Sequence, residues 1–267
     1  GQTNLSGSNK AAELVKRCGE KRVDYCGNEA VDLKVWPHAH AAVVVHGGKA
    51  LEARARKVTQ VAATFAPQPT TLKVVTKALR VHQWAKNALI FVPLAAAHVL
   101  GDAARMLDGL TAFVAFSLCA SSVYLLNDML DLEADRAHHS KCRRPFAAGT
   151  LSLLFGLVAA PLLLLLAFGL ALLLPAKFLG VLVAYYVVTL AYSFLLKRLV
   201  MIDVLTLAGL YTVRIVAGAA ATDIPLSFWL LMFAIFIFLS LAIVKRFAEL
   251  HAMRVQGKDK ASGRGYQ

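Results

Sequence analysis

The chain has 267 residues, is 58% hydrophobic and carries a formal net charge of +13. That apolar share exceeds the roughly 45–50% of soluble domains, which excludes an ordinary soluble protein and makes a membrane protein the default. The 29 Lys and Arg, against 16 Asp and Glu, fall mainly in separate segments beside apolar runs, so the charge excludes a nucleic-acid partner.

Residues 1–66 are mixed polar and charged, with two short apolar runs, VDYC from Val23 and AAVVV from Ala41. The alternation predicts short buried strands beside helices at 10–18 and 48–65, as in a small α/β domain. SGSNKAAEL and YCGNEAVDLKVWPHAHAAVVV resemble the closing segment of a haloacid-dehalogenase-type domain. The resemblance implies that Lys10 is that family's lysine and Asp32 the second acid of its GDxxxD turn, with Asn28 standing where the first acid belongs. The DxDxT nucleophile segment is missing from the sequence, so no phosphatase chemistry follows. PQPTT at 67–71 opens a linker over 67–78, and a membrane domain is expected over 79–267.

Apolar runs at 88–100, 107–126, 151–174, 178–196, 199–221 and 228–244 predict about six membrane spans, most near the roughly 20 residues a crossing needs. The first is short and could recruit 81–86 as an interfacial lead-in, with Trp84 as its belt residue. Cations alternate by loop. Lys73, Lys77, Arg80 and Lys86 precede the first run; Arg136, Lys141, Arg143 and Arg144 follow the second; Lys197 and Arg198 follow the fourth; Lys245, Arg246, Arg254, Lys258, Lys260 and Arg264 follow the sixth. This positive-inside pattern predicts a protein integral to the cytoplasmic membrane, with its N-terminus and its charged loops in the cytoplasm. The fold expected is an all-α multi-span bundle with a small α/β remnant in front.

The stretch NDMLDLEADRAHHSKCRRP, residues 127–145, follows the second run. On a continuous helix Asn127, Asp131 and Asp135 recur at i, i+4, i+8, and Asp128 lies three before Asp131, so all four share a face. Like charges so placed repel unless a cation sits between them. Hard oxygens on one face suit Mg²⁺, which takes one or two carboxylates plus phosphate oxygens and water. Lys141, Arg143 and Arg144 follow closely enough to contact phosphate, Arg by a bidentate fork and Lys as a point charge.

The pattern NDxxDxxxDxxxxxKxxRP is similar to the first aspartate-rich signature of the UbiA superfamily of intramembrane prenyltransferases, over about 79–266. The resemblance implies Asn127, Asp128, Asp131 and Asp135 as Mg²⁺ ligands against a diphosphate. It also implies catalytic roles for Asp131, Asp135, Lys141 and Arg144. That family usually has nine spans, so the chain is expected to be a fragment at both ends. Within the spans, Asp203 and Arg214 are too far apart along one helix to pair, and each needs another partner, with Arg214 a candidate anion contact. Tyr192 and Lys197 resemble a family pattern, with a snorkelling lysine the plainer alternative. Lys245, Arg246 and Glu249 stand in KRFAEL where most members carry a second acidic pair. That departure, with QWAKNALIFVPL and its Lys86 and Asn87, resembles the decaprenyl-phosphate phosphoribosyltransferase subgroup.

The expected function is a Mg²⁺-dependent membrane transferase that expels pyrophosphate. Phosphoribose would pass from phosphoribosyl pyrophosphate to a polyprenyl phosphate. The alternative is transfer of a polyprenyl group from its diphosphate to an aromatic acceptor or quinone precursor. Lys86, Asn87, Arg143, Tyr192, Lys197, Arg214, Lys245, Arg246 and Glu249 are the expected substrate contacts. A scaffold whose charged loops bind lipid headgroups of the bilayer is the non-enzyme alternative.

Overall fold

The computed structural model describes residues 5–66, 70–196 and 199–255. It divides into two compact units, Gly1–Thr70 and Thr71–Gln267.

In the first unit, α1 (Ser8–Cys18), β1 (Tyr25–Gly27), β2 (Ala42–Val45), α2 (Gly48–Ala55) and β3 (Val61–Phe65) build a parallel three-stranded sheet in the order β1-β2-β3. Buried Trp36, Ala42, Val44, Leu51 and Ala55 form its core. The helix expected over 48–65 ends at Ala55, because VAATF pairs with β2 from Val61 onward. Asp32 is buried where 3-10 turns follow β1. Its Oδ2 accepts from the backbone N–H groups of Asn28 and Glu29, and its Oδ1 accepts from Tyr25, whose hydroxyl takes a bond from Lys10 Nζ at 3.0 Å.

The second unit starts with α3 (Leu72–Ala78), capped by Thr71. A 3-10 helix (Val81–Phe91) and the short α4 (Val92–Ala96) follow. Then come α5 (Ala103–Leu130), α6 (Leu132–Ala137), α7 (Leu153–Ala171), α8 (Ala176–Phe194), α9 (Val200–Thr222) and α10 (Phe228–Val255). Five helices, α5 and α7 to α10, are long and apolar enough to cross a membrane. The first expected span is not among them. Its residues instead run antiparallel to α5, from Arg80 beside Asp128 to Leu94 beside Gly109, mostly as 3-10 helix. A 3-10 helix rises about 2.0 Å per residue against 1.5 Å for an α-helix, so a short run can cover the length. The indole N–H of Trp84 donates to Ser121 on α5 at 3.0 Å.

The bundle closes around α5. Small residues, among them Ala112, Ala115, Cys119, Ala120 and Ser122, let neighbouring helices approach, and Ser122 Oγ donates to the Ala160 carbonyl of α7 at 2.7 Å. Phe116, Phe178, Leu182 and Tyr185 fill the space between α5 and α8. Where α9 crosses the 3-10 helix, a Cβ on Gly218 would overlap the Ile90 carbonyl oxygen, so only glycine fits. The leucines of α7, such as Leu154 and Leu165, point outward, as they would toward lipid.

Antiparallel succession puts the segment around 131–152, the end of α8, the start of α9 and the C-terminal turns of α10 at one end of the bundle. Asp223, after α9, pairs with Lys177 of α8 at the other end, at 2.9 Å. Of the cations expected at the first end, Lys197, Arg198, Lys258, Lys260 and Arg264 lie outside the described residues.

Candidate active site

Asp131 interrupts the helix that the acidic stretch was expected to continue. It caps α5 with φ −87° and ψ 12°, and α6 starts afresh at Leu132. The i to i−4 bonding survives the break, Asp131 N to Asn127 O at 2.9 Å and Asp135 N to Asp131 O at 2.8 Å. Asp128 and Asp135 therefore both turn inward, 3% and 1% exposed.

Both converge on one cation. Arg144 Nη1 donates to Asp128 Oδ1 at 3.0 Å and to Asp135 Oδ2 at 2.6 Å. Arg80 Nη2 adds a second bond to Asp128 Oδ1 at 2.5 Å, and Lys141 Nζ stands 4.0 Å from Asp135 Oδ1. Arg80 was not among the expected site residues. A left-handed backbone, φ 52°, places it between α3 and the 3-10 helix, and its guanidinium rests 4.6 Å from the centre of the Tyr124 ring. Two carboxylates against three cations leave a local excess of positive charge, which is the balance an anionic ligand needs.

The other motif residues separate. Asn127 Nδ2 donates to Ser193 Oγ of α8 at 2.9 Å, away from Arg144. Lys77 Nζ binds the Arg143 backbone carbonyl at 2.9 Å, tying α3 to the same loop. Among the described residues no three His, Cys, Asp or Glu side chains gather into a metal cage. Mg²⁺ does not require one, since one or two carboxylates with phosphate oxygens and water suffice. Asp128 and Asp135 supply the hard oxygens and already meet at a single cationic nitrogen, so these residues fit such an ion.

A second cluster joins α8, α9 and α10. Asp203 is fully buried and salt-bridged to Arg246, Nε to Oδ2 at 2.5 Å and Nη2 to Oδ1 at 2.9 Å. Tyr192 donates to Asp203 Oδ1 at 2.7 Å, and Arg246 Nη1 reaches Glu249 at 2.5 Å. The partner that Asp203 needed is thus the arginine of KRFAEL. Glu249 pairs with Arg246 at i+3 rather than with Lys245, which is exposed. Tyr192 and Ser193 are adjacent, so the last turn of α8 touches both clusters. Lys197 lies outside the described residues.

The third cluster is deeper. Arg214 Nε donates to Asn87 Oδ1 at 2.8 Å, and Asn87 Nδ2 donates to Ser117 Oγ at 2.8 Å. The Arg214 guanidinium lies 5.4–5.6 Å from the ring centres of Phe116, Tyr185 and Tyr211. An arginine at the middle of a membrane helix costs about 2.5–3.5 kcal/mol on insertion scales, which these contacts offset in part. Ser117 precedes Asp128 by eleven residues, about 16 Å along α5.

A family model described as the UbiA prenyltransferase family matches residues 88–264. Protein y4nM of Sinorhizobium fredii is 39% identical over the whole chain, which covers 52% of that protein. Decaprenyl-phosphate phosphoribosyltransferase of Mycobacterium tuberculosis is 40% identical over 69% of this chain and 63% of its own length. The chain therefore spans about half to two thirds of these relatives. A solved UbiA homologue from Archaeoglobus fulgidus, bound to GPP and Mg²⁺, superposes with a TM-score of 0.55 at 18% identity, over 69% of this chain and 66% of that one.

Proposed function

The chain belongs to the UbiA prenyltransferase family, and from that premise we propose that it forms part of a Mg²⁺-dependent phosphoribosyltransferase whose donor is phosphoribosyl pyrophosphate and whose acceptor is a polyprenyl phosphate. The observation that carries the reading is the convergence of Asp128 and Asp135 on Arg144, with Arg80 and Lys141 alongside. In the reaction the bond from the anomeric carbon to pyrophosphate breaks, and its electron pair leaves with pyrophosphate. An oxygen of the acceptor phosphate forms the new bond to that carbon.

Mg²⁺, held by Asp128 and Asp135, would supply Lewis-acid stabilisation of the charge that builds on the leaving group. Arg144 and Lys141 clamp the diphosphate oxygens, and Arg80 orients Asp128 through its bond to Oδ1. Asn127 fixes the end of α5 to α8 through Ser193. Asp131 marks the break that lets α6 fold Asp135 back toward Asp128.

The choice of donor is supported by the second cluster and by the name of the mycobacterial relative. Arg246 already occupies the space between Asp203 and Glu249, leaving those acids engaged by a cation of the chain itself. Beyond the paired residues this end still carries Arg143 and Lys245, which suits a donor with a 5-phosphate in addition to its diphosphate. The charged end is assigned to the cytoplasm by the positive-inside rule. The first unit, with Lys10, Tyr25 and Asp32 in one hydrogen-bonded chain, is assigned as the closing part of a haloacid-dehalogenase-like domain without phosphatase chemistry of its own.

The test is direct. Reconstituted with Mg²⁺ and a polyprenyl phosphate, the protein should consume phosphoribosyl pyrophosphate and release pyrophosphate. Indifference to that donor, together with prenylation of an aromatic acid or quinone precursor, would replace this reading with the aromatic one.

A further inference from the structure

The last turn of α8 is held from two directions. Ser193 Oγ donates its one proton to the Thr189 carbonyl of its own helix at 2.9 Å. Toward α5 it can therefore only accept, and Asn127 Nδ2 donates to it at 2.9 Å. Tyr192, about 100° around the helix from Ser193, donates to Asp203 Oδ1 at 2.7 Å, and its hydroxyl accepts from Arg246 Nη2 at 3.4 Å. One contact ties the turn to α5, the other to α9 and α10. Asp203 and Arg246 are both buried. Replacing a buried ion pair by apolar side chains is often neutral for stability, and the best-attested use of such a pair is to fix register.

The α5 end of these contacts is where Asp128 is presented. The last turn of a helix has the fewest backbone bonds to hold it. Here the Asn127 carbonyl takes the bond from Asp131 N that closes α5, its side chain is anchored to α8, and the next residue carries the carboxylate that Arg80 and Arg144 grip. We propose that Ser193 and Asp203 are positioning residues for the acid pair. Ser193 acts through Asn127, and Asp203, locked by Arg246, acts through Tyr192 on the same turn of α8. The turn is a joint that transmits the placement of α9 and α10 to the end of α5. This inference rests on the reading that Asp128 and Asp135 hold Mg²⁺ and a diphosphate, and it is independent of which donor carries that diphosphate.

Calorimetric titration of Mg²⁺-pyrophosphate into the full chain in lipid nanodiscs tests it, with Tm measured on the same samples. Ser193→Ala and Tyr192→Phe should each weaken binding about three- to tenfold, the range of one lost hydrogen bond. Ser193→Thr, which keeps the hydroxyl, should bind as the wild type does. Because both bonds hold one turn, the double variant should lose less than the product of the two single losses. Asp203→Asn should weaken binding at least as much as Tyr192→Phe, and the latter, which leaves the ion pair intact, carries the test if the former fails to fold. A role in stability alone would lower Tm and leave the affinity of the folded protein as it is. Wild-type affinity in either Ser193→Ala or Tyr192→Phe, or a double variant that loses the full product, would overturn the inference. Asp135→Asn, titrated in parallel, should lose most of the binding. Wild-type affinity in that variant would overturn the reading of the acid pair itself, and the inference with it.

Discussion

Replacing Asp128 by Asn removes one charge and changes almost no volume, so it isolates the electrostatic work of the first cluster. Asp128 Oδ1 accepts from Arg80 and Arg144 at 2.5 and 3.0 Å, and the residue is 3% exposed. Hydrogen bonds to charged groups contribute about 1.5–3 kcal/mol each, and a neutral amide oxygen can still accept one of them in weakened form. The substitution also leaves Arg80, Arg144 and Lys141 around a single carboxylate, Asp135. A loss of about 2–4 kcal/mol is expected, short of the roughly 3–5 kcal/mol for a buried charge stripped of its only partner. Denaturant titration of the ligand-free protein in detergent measures it, with exposed Asp223→Asn as the control. Arg80→Met in the Asp128→Asn background should cost less than in the wild type, with a coupling of about 1–2 kcal/mol. If Asp128→Asn falls within about 0.5 kcal/mol of the wild type and the two changes add independently, the ion pairs do not stabilise the fold and the argument fails.

Asp135→Asn should abolish pyrophosphate release while the protein still inserts into membranes, and full activity in the variant would remove Asp135 from the site. Gly218→Val should be destabilising by at least about 1–3 kcal/mol, read as a lowered Tm, because the new side chain meets the Ile90 backbone and neither segment can yield alone. At the opposite end, the Lys177 ammonium holds the Asp223 carboxyl below its usual range. A depressed carboxyl pKa stabilises the fold above the unfolded value and stops doing so as the pH falls through the folded one. Lys177→Met should therefore raise the Asp223 pKa toward the ordinary value, a shift that NMR titration of the carboxyl would register.

The membrane class, the five regular spans and the acidic stretch were legible because each depends on local pattern: apolar length, loop charge and helical spacing. Asp128 and Asp135 were recognisable as a pair, yet the residue that joins them is a loop arginine, and only tertiary structure reveals which of Lys141, Arg143 and Arg144 turns inward. Arg80 was hidden for a similar reason. It reads as one more loop cation until the left-handed backbone carries it to Asp128. Asp203 and Arg246 are 43 residues apart, so no single-helix argument could couple them. The helix expected over 48–65 failed at its second half because a β-branched and aromatic stretch prefers the strand that β2 offers it.

The 3-10 helix over Val81–Phe91 imposes a different periodicity on the sequence than either pattern normally sought. With three residues per turn, side chains at i and i+3 stand one above another. Trp84 and Asn87 form such a column, set against Ser121 and Ser117 of α5 in turn. The fit works like a rack whose teeth are three residues apart. Removing three residues would shorten the rack by about 6 Å but keep its teeth in phase, whereas removing four, which an α-helix would nearly forgive, would turn every tooth away from its slot.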